Sequence, residues 1–199
     1  MLLYDNPESG NCYKVRLLLA HLGVQYERQF VDVVDRSNRA ELLGALNPAL
    51  RVPTLILDDG RPLAESNAII IYLGEETAFV PAERYERAQM FQWLCFEQYE
   101  VEPNLAVVRF LRHHLSDDEA LSERISERTA LGYKALAAME RHLVERDWFV
   151  GKRPSLADIS LFAYTHVADE GEFDLSRFPA VLAWIDRVRA MPGHVSIDA

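Results

Sequence analysis

A chain of 199 residues, 49% hydrophobic and 26% charged, can bury one large core or two small ones and is too apolar to stay disordered. Its formal net charge of −10 argues against a general nucleic-acid partner, because contact with phosphate needs a basic surface. No apolar run approaches bilayer length, and "MLLYDNPES" has no basic stretch ahead of a signal-type core, so no membrane partner and a cytoplasmic location are expected.

The first 77 residues alternate between strand and helix signals. "MLLYD" reads as a strand, and residues 10–23 as a helix closed by Gly23. "VQYERQFVDV" is strand-like, and "NRAELLGAL", residues 38–46, is a short helix that ends before Asn47-Pro48. "PTLILD", the turn "DDG" and "RPLAE" form a hairpin, and residues 66–77 return to helix. The order βαβ–α–ββα predicts a parallel pair extended by an antiparallel edge.

Beyond "AFVPAE" the strand signals stop. Residues 83–115 carry apolar positions at helical spacing, with Pro103 expected to kink or break that helix. Ser116 and Glu119 form a capping box that opens a second helix running to about Glu145. Ser155 and Asp158 form another at the start of a third, and "FPAVLAWIDRVRAM" is a fourth, with proline in its first turn. The shift near residue 78 is a domain boundary. An α/β domain over 1–77 precedes an all-helical domain over 83–199.

Cys12 and Cys95 are far apart and make no C-x-x-C pair, so neither a disulfide framework nor a zinc spacing is present. His113 and His114 are neighbours that point about 100° apart on a helix. No metal site is expected.

Three segments of the α/β domain suit binding. In "RVPTL", a cis bond before Pro53 would expose the N–H and C=O of Val52 to an extended peptide, or Pro53 is simply a strand-start residue. In "LAESNAIIIYL", the Ser66 hydroxyl and the first-turn N–H groups suit a carboxylate, and Glu65 suits an ammonium. The plainer alternative there is an N-cap beside a solvated glutamate. In "SGNCYKVR", Ser9 lies at the open carboxyl end of a strand, where α/β folds place ligands; Gly10 permits close approach and Asn11 adds a donor. Ser9 as a plain helix cap is the alternative. Cys12, in the first turn of that helix, is expected to have a lowered pKa; a redox thiol is the lesser reading there and a packed or incidental thiol the favoured one.

Taken together, these segments resemble the cytosolic glutathione transferases over nearly the whole chain. The resemblance rests on "LYDNPESGNCYKVRLLLAHLG", "NPALRVPTLILDDGRPLAESNAIIIYL" and "FVGKRPSLADISLFAY". It implies a thioredoxin-like, glutathione-binding domain followed by an all-helical one, a homodimer, and a role in detoxification. The γ-glutamyl carboxylate would meet Ser66 with Glu65 near the ammonium, the cysteinyl backbone would pair with Val52 before cis-Pro53, and Arg51 would either approach the glycine carboxylate or stand as a solvated charge. The thiol would point at Ser9, with Asn11 an auxiliary donor. "ESGNCYKVR" looks like the serine-type theta and zeta patterns, and Ser9–Gly10–Asn11 is similar to the bacterial nu class. Tyr4 is the rival hydroxyl, at the place used by tyrosine-type classes. The implied activity is transfer of glutathione to a small, largely apolar electrophile. The alternatives are a glutathione-dependent disulfide reductase, an isomerase, weakened because the zeta serine and cysteine are here Gly10 and Asn11, and a non-catalytic binding module. In the helical part Trp93, Phe96, Tyr99, Phe110 and Arg112 are candidate substrate contacts or core, and Asp158 is a structural cap.

Overall fold

Leu2–Asp5 (β1) alternates as a half-buried strand does, with Leu3 and Asp5 inward, and its register fixes the sheet. In the computed structural model, which describes residues 1–114 and 119–199, β1 pairs in parallel with Glu27–Phe30 (β2) and antiparallel with Thr54–Ile56 (β3). Pro62–Ala64 (β4) closes the hairpin on β3, giving the strand order β2-β1-β3-β4. Helices α1 (Gly10–Leu22), α2 (Arg39–Leu43) and α3 (Ser66–Gly74) complete the expected mixed α/β arrangement. Helix α1 packs on α3 and is buried on nearly every side, Lys14 and Arg16 included. Leu3, Val15, Leu18, Leu55, Ile69 and Ile70 form the core. Gly23 ends α1 at φ 65°, in the left-handed region that favours glycine.

Two elements are shorter than their sequence signals. Strand β2 stops at Phe30 because Asp32 Oδ1 takes the N–H groups of Val34 and Asp35 at 2.7 and 2.8 Å, turning the chain away from the sheet. Helix α3 stops at Gly74, where the Thr77 hydroxyl donates to the Gly74 carbonyl at 2.6 Å.

The chain divides into two units: Met1–Thr77 together with Pro192–Ala199, and Ala78–Met191. Residues 192–199, grouped with the helices by sequence, instead pack with the first unit.

In the second unit α4 (Arg84–Phe96) is capped by the Glu83 carboxylate, which accepts from Tyr85 and Glu86 N–H. Pro103 does not break the chain's helical course. Glu97–Ala106 winds as a π-helix through it, and the Asn104 side-chain amide donates to the Glu100 carbonyl at 2.7 Å. Helix α5 (Val107–His114) follows. The capping box expected at Ser116 and Glu119 lies outside the described residues; the helix itself, α6, spans Glu119–Leu143. Helix α7 (Leu156–Thr165) is buried along its whole length, and α8 (Pro179–Arg189) starts on its proline. The Glu140 carboxylate accepts from the Ala180 and Val181 N–H groups, an anion at the positive end of α8. Trp184, Phe149, Phe162 and Trp93 make the aromatic core. No helix among the described residues is long and apolar enough to cross a membrane.

Candidate functional site

Ser9 is the N-cap of α1. Its backbone is extended (φ −79°, ψ 114°), and its Oγ accepts the Cys12 N–H at 3.3 Å. A hydroxyl has two lone pairs and one proton, so capping uses an acceptor position and leaves the O–H to donate. Cap and donor are compatible roles. The preceding loop is held by Asn6: its Nδ2 donates to the Val31 carbonyl, its Oδ1 accepts from Glu8 N–H, and its carbonyl accepts from Ser9 N–H.

The Val52–Pro53 bond is cis, as expected. Asn47, 4% exposed, holds the segment before it, with Nδ2 donating to the Arg51 carbonyl at 2.9 Å and to Thr54 Oγ1 at 3.0 Å. The Arg51 side chain is exposed.

Glu65 adopts φ 69°, a region that costs a non-glycine residue about 1–3 kcal/mol and clusters at ligand sites. It is exposed and directly precedes the first turn of α3. Ser66, 4% exposed, opens that helix, accepting from Lys14 Nζ at 3.3 Å and donating to Asn11 Oδ1 at 3.0 Å. An ammonium, a hydroxyl and first-turn N–H groups therefore converge at one buried point, which suits a carboxylate. The Ser66–Asn11 bond joins this point to the turn that carries Ser9.

The family description "Glutathione S-transferase, N-terminal domain" matches residues 8–76, and "Glutathione S-transferase, C-terminal domain" matches residues 122–187. Among solved structures, a glutathione S-transferase from Pseudomonas fluorescens Pf-5 is similar at TM-score 0.95 and 45% identity, with 98% of each chain covered. A maleylacetoacetate isomerase of Pseudomonas aeruginosa is 31% identical over 96% of this chain and 92% of its own. The chain belongs to the glutathione S-transferase family. A disulfide-bond oxidoreductase, YfcG, of Escherichia coli is 30% identical over 96% of this chain and 90% of its own.

In this chain the lowered pKa expected of Cys12 is overturned, and Cys12 is a packed thiol. Its thiol is fully buried, and burial, reinforced by the Asp5 carboxylate, pushes its pKa up to about 12 despite the Ser9 hydrogen bond. The helix end is outweighed by desolvation. Tyr4 remains partly buried in β1. Of the aromatic candidates, Trp93 is 8% exposed and packs edge-on against Phe96 and Phe149, a core role, whereas Tyr99 is 83% exposed; Arg112 is paired with Glu172 at 3.0 Å. Sequence reasoning missed Lys14 and Asn47. Lys14 stands in no motif of "CYKVR", and a lysine on a helix buried on nearly every side is the signal that singles it out. Asn47 looked like a helix stop, because its partners at Arg51 and Thr54 depend on the turn that follows.

Proposed function

We propose that the protein is a serine-type glutathione transferase whose first unit is the glutathione-binding domain and whose substrate is a small, largely apolar electrophile. The observation that carries it is the Ser66–Asn11 bond, which ties the carboxylate-suited end of α3 to the Ser9 turn. The donors and acceptors suit a γ-glutamyl tripeptide: Ser66 and Lys14 for the γ-glutamyl carboxylate, Glu65 for its ammonium, Val52 N–H and C=O for the cysteinyl backbone, and Arg51 for the glycine carboxylate. Glutathione supplies the nucleophile: its sulfur forms the new bond to carbon, the thiol proton passes to water, and any leaving group departs with its bonding pair.

Ser9 has a defined energetic task. Lowering a thiol pKa from about 8.5 to about 6.5 takes ~2.7 kcal/mol of preference for the thiolate. One hydroxyl hydrogen bond to a charged acceptor supplies roughly 1.5–3 kcal/mol, and the end of α1 roughly 0.3–1 kcal/mol. Ser9, with Asn11 beside it, meets the requirement without a general base. The second reading is a glutathione-dependent disulfide reductase, favoured by the likeness to the Escherichia coli oxidoreductase; the burial of Cys12 makes glutathione, not the Cys12 thiol, its nucleophile. A chlorinated aromatic, a mixed disulfide and a cis-alkene acid assayed side by side separate the transferase from the reductase and isomerase alternatives. A cytoplasmic homodimer acting in detoxification completes the proposal.

The test is ultraviolet titration of the bound thiolate. Ser9→Ala is expected to raise its pKa by about one to two units, with turnover falling about tenfold at neutral pH and recovering in alkali. An unchanged titration overturns the assignment, and a shift produced by Tyr4→Phe alone moves the role to Tyr4.

A further inference from the structure

Residues 192–199 run along one stripe of α1. The His21 Nδ1 meets the Pro192 carbonyl at 2.7 Å, and Tyr13 Oη donates to the Val195 carbonyl at 2.7 Å. Arg16 Nη2 donates to the Ile197 carbonyl at 2.5 Å. Gly193, at φ 79°, makes the close approach possible, because a Cβ there would lie 3.0 Å from the Ala20 carbonyl oxygen. Ile197 is 7% exposed.

Arg16 does more than hold this segment. It is 2% exposed, and Nη1 reaches Asp5 Oδ1 at 2.6 Å and the Asn6 carbonyl at 3.1 Å. Nη2 also reaches the Pro7 carbonyl at 3.0 Å. The Asn6 carbonyl in turn accepts from Ser9 N–H at 3.1 Å. One planar guanidinium thus binds the Ile197 carbonyl and both carbonyls of the turn that leads into Ser9, so displacement of one side is felt at the other. A second guanidinium repeats the link: Arg28 pairs with Asp5 Oδ2 at 2.7 Å and donates to the Ala199 carbonyl at 2.8 Å.

We propose that residues 192–199 are a strap which, acting through Arg16, fixes the position of the Ser9 hydroxyl, and that Arg16 is a positioning residue for the thiolate site. The inference rests on the reading of Ser9 as the thiolate donor. Sub-ångström placement matters there, because a charged hydrogen bond weakens steeply with misalignment.

Two variants test it, read by thiolate titration, by calorimetric glutathione affinity, and by hydrogen exchange over residues 6–12. Arg16→Lys keeps the charge and loses the fork; Tyr13→Phe removes one strap bond and disturbs folding least. Arg16→Lys is expected to raise the pKa of the bound thiol by about one unit, roughly tenfold less thiolate at neutral pH, while affinity changes less than about twofold. Tyr13→Phe should shift it the same way by about 0.3 unit, and both should speed exchange of Ser9 N–H. In a Ser9→Ala background neither should shift the titration further. A loss of thermal stability with an unmoved titration and unmoved Ser9 exchange overturns the proposal, as does an equal shift in the Ser9→Ala background. If Ser9→Ala alone leaves the titration unchanged, the thiolate reading fails. Exchange at Ser9 then decides the strap alone: faster exchange supports it, and unchanged exchange overturns it.

Discussion

Ser66 has one hydroxyl proton and gives it to Asn11 Oδ1 at 3.0 Å, while Lys14 donates to its lone pair at 3.3 Å. The bond engages the acceptor end of the Asn11 amide with α3, and Nδ2 is the end of that amide that donates. Ser66 therefore serves two ends of the proposed ligand site, and removing it should show both effects in unequal measure. Ser66→Ala is expected to weaken glutathione about tenfold, because Lys14 loses the acceptor that holds its ammonium at the first turn of α3, beside the place of the γ-glutamyl carboxylate. The bound-thiol pKa should rise by less than it does in Ser9→Ala, because Asn11 loses an anchor and not its amide. Calorimetry and ultraviolet titration measure the two separately. An unchanged affinity with a pKa shift as large as that of Ser9→Ala would contradict this division. Ser66 itself was legible from "ESNAIII", since a hydroxyl before an apolar run is a helix start. Its partnership with Asn11 was not, because 55 residues separate them.

Helix α7 shows the same limit at the level of an element. The S-x-x-D spacing of Ser155 and Asp158 announces a capping box, and the box is present, with Asp158 Oδ2 accepting from Ser155 N–H at 2.8 Å. The other oxygen carries what no local pattern reveals: Asp158 Oδ1 accepts from Phe149 N–H at 3.1 Å and from Trp184 Nε1 at 3.0 Å. Asp158 thus joins α7 to the loop before it and to α8. Burial holds its carboxyl above the ordinary 3.8 in spite of these bonds. The folded state then keeps a proton that the unfolded chain releases once pH passes 3.8. Ionisation of this group accordingly subtracts stability as pH rises from 3.8 to the raised native value, and no more above it. Asp158→Asn does not titrate, and its amide, with one acceptor oxygen in place of two, leaves either the Ser155 donors or those of Phe149 and Trp184 unpaired at a cost of about 1–3 kcal/mol. Urea unfolding across a pH series should find wild type the more stable, with its margin over Asp158→Asn widest in acid and shrinking through that window. A margin that is flat or grows with pH would exclude the raised carboxyl.

Across the whole molecule, the order of elements and the break near residue 78 were legible because they depend on local periodicity and turn chemistry: alternation in "MLLYD", the "DDG" turn, and capping residues before apolar runs. The strap was not legible. "PGHVSIDA" has neither helical nor strand period, and it docks chiefly through the carbonyls of Val195, Ile197 and Ala199, groups that every residue possesses. Side-chain pattern cannot announce a contact made by the backbone. The consequence is that the first unit is built from both ends of the described chain, and a deletion at one end should be felt at the other. A chain ending at Met191 loses the burial of Ile197, about 1.5–3 kcal/mol, together with partners for Tyr13, Arg16 and Arg28. Much of the remaining gain from the strap is offset by the entropy of ordering an irregular segment, so a net loss of about 2–3 kcal/mol is expected. Its location is the sharper test. Hydrogen exchange should quicken in β1, α1 and β2 and stay slow in α7, whose residues are all buried within the second unit. Loss of protection confined to α8, or spread evenly over both units, would show instead that residues 192–199 serve chiefly to end the helical unit.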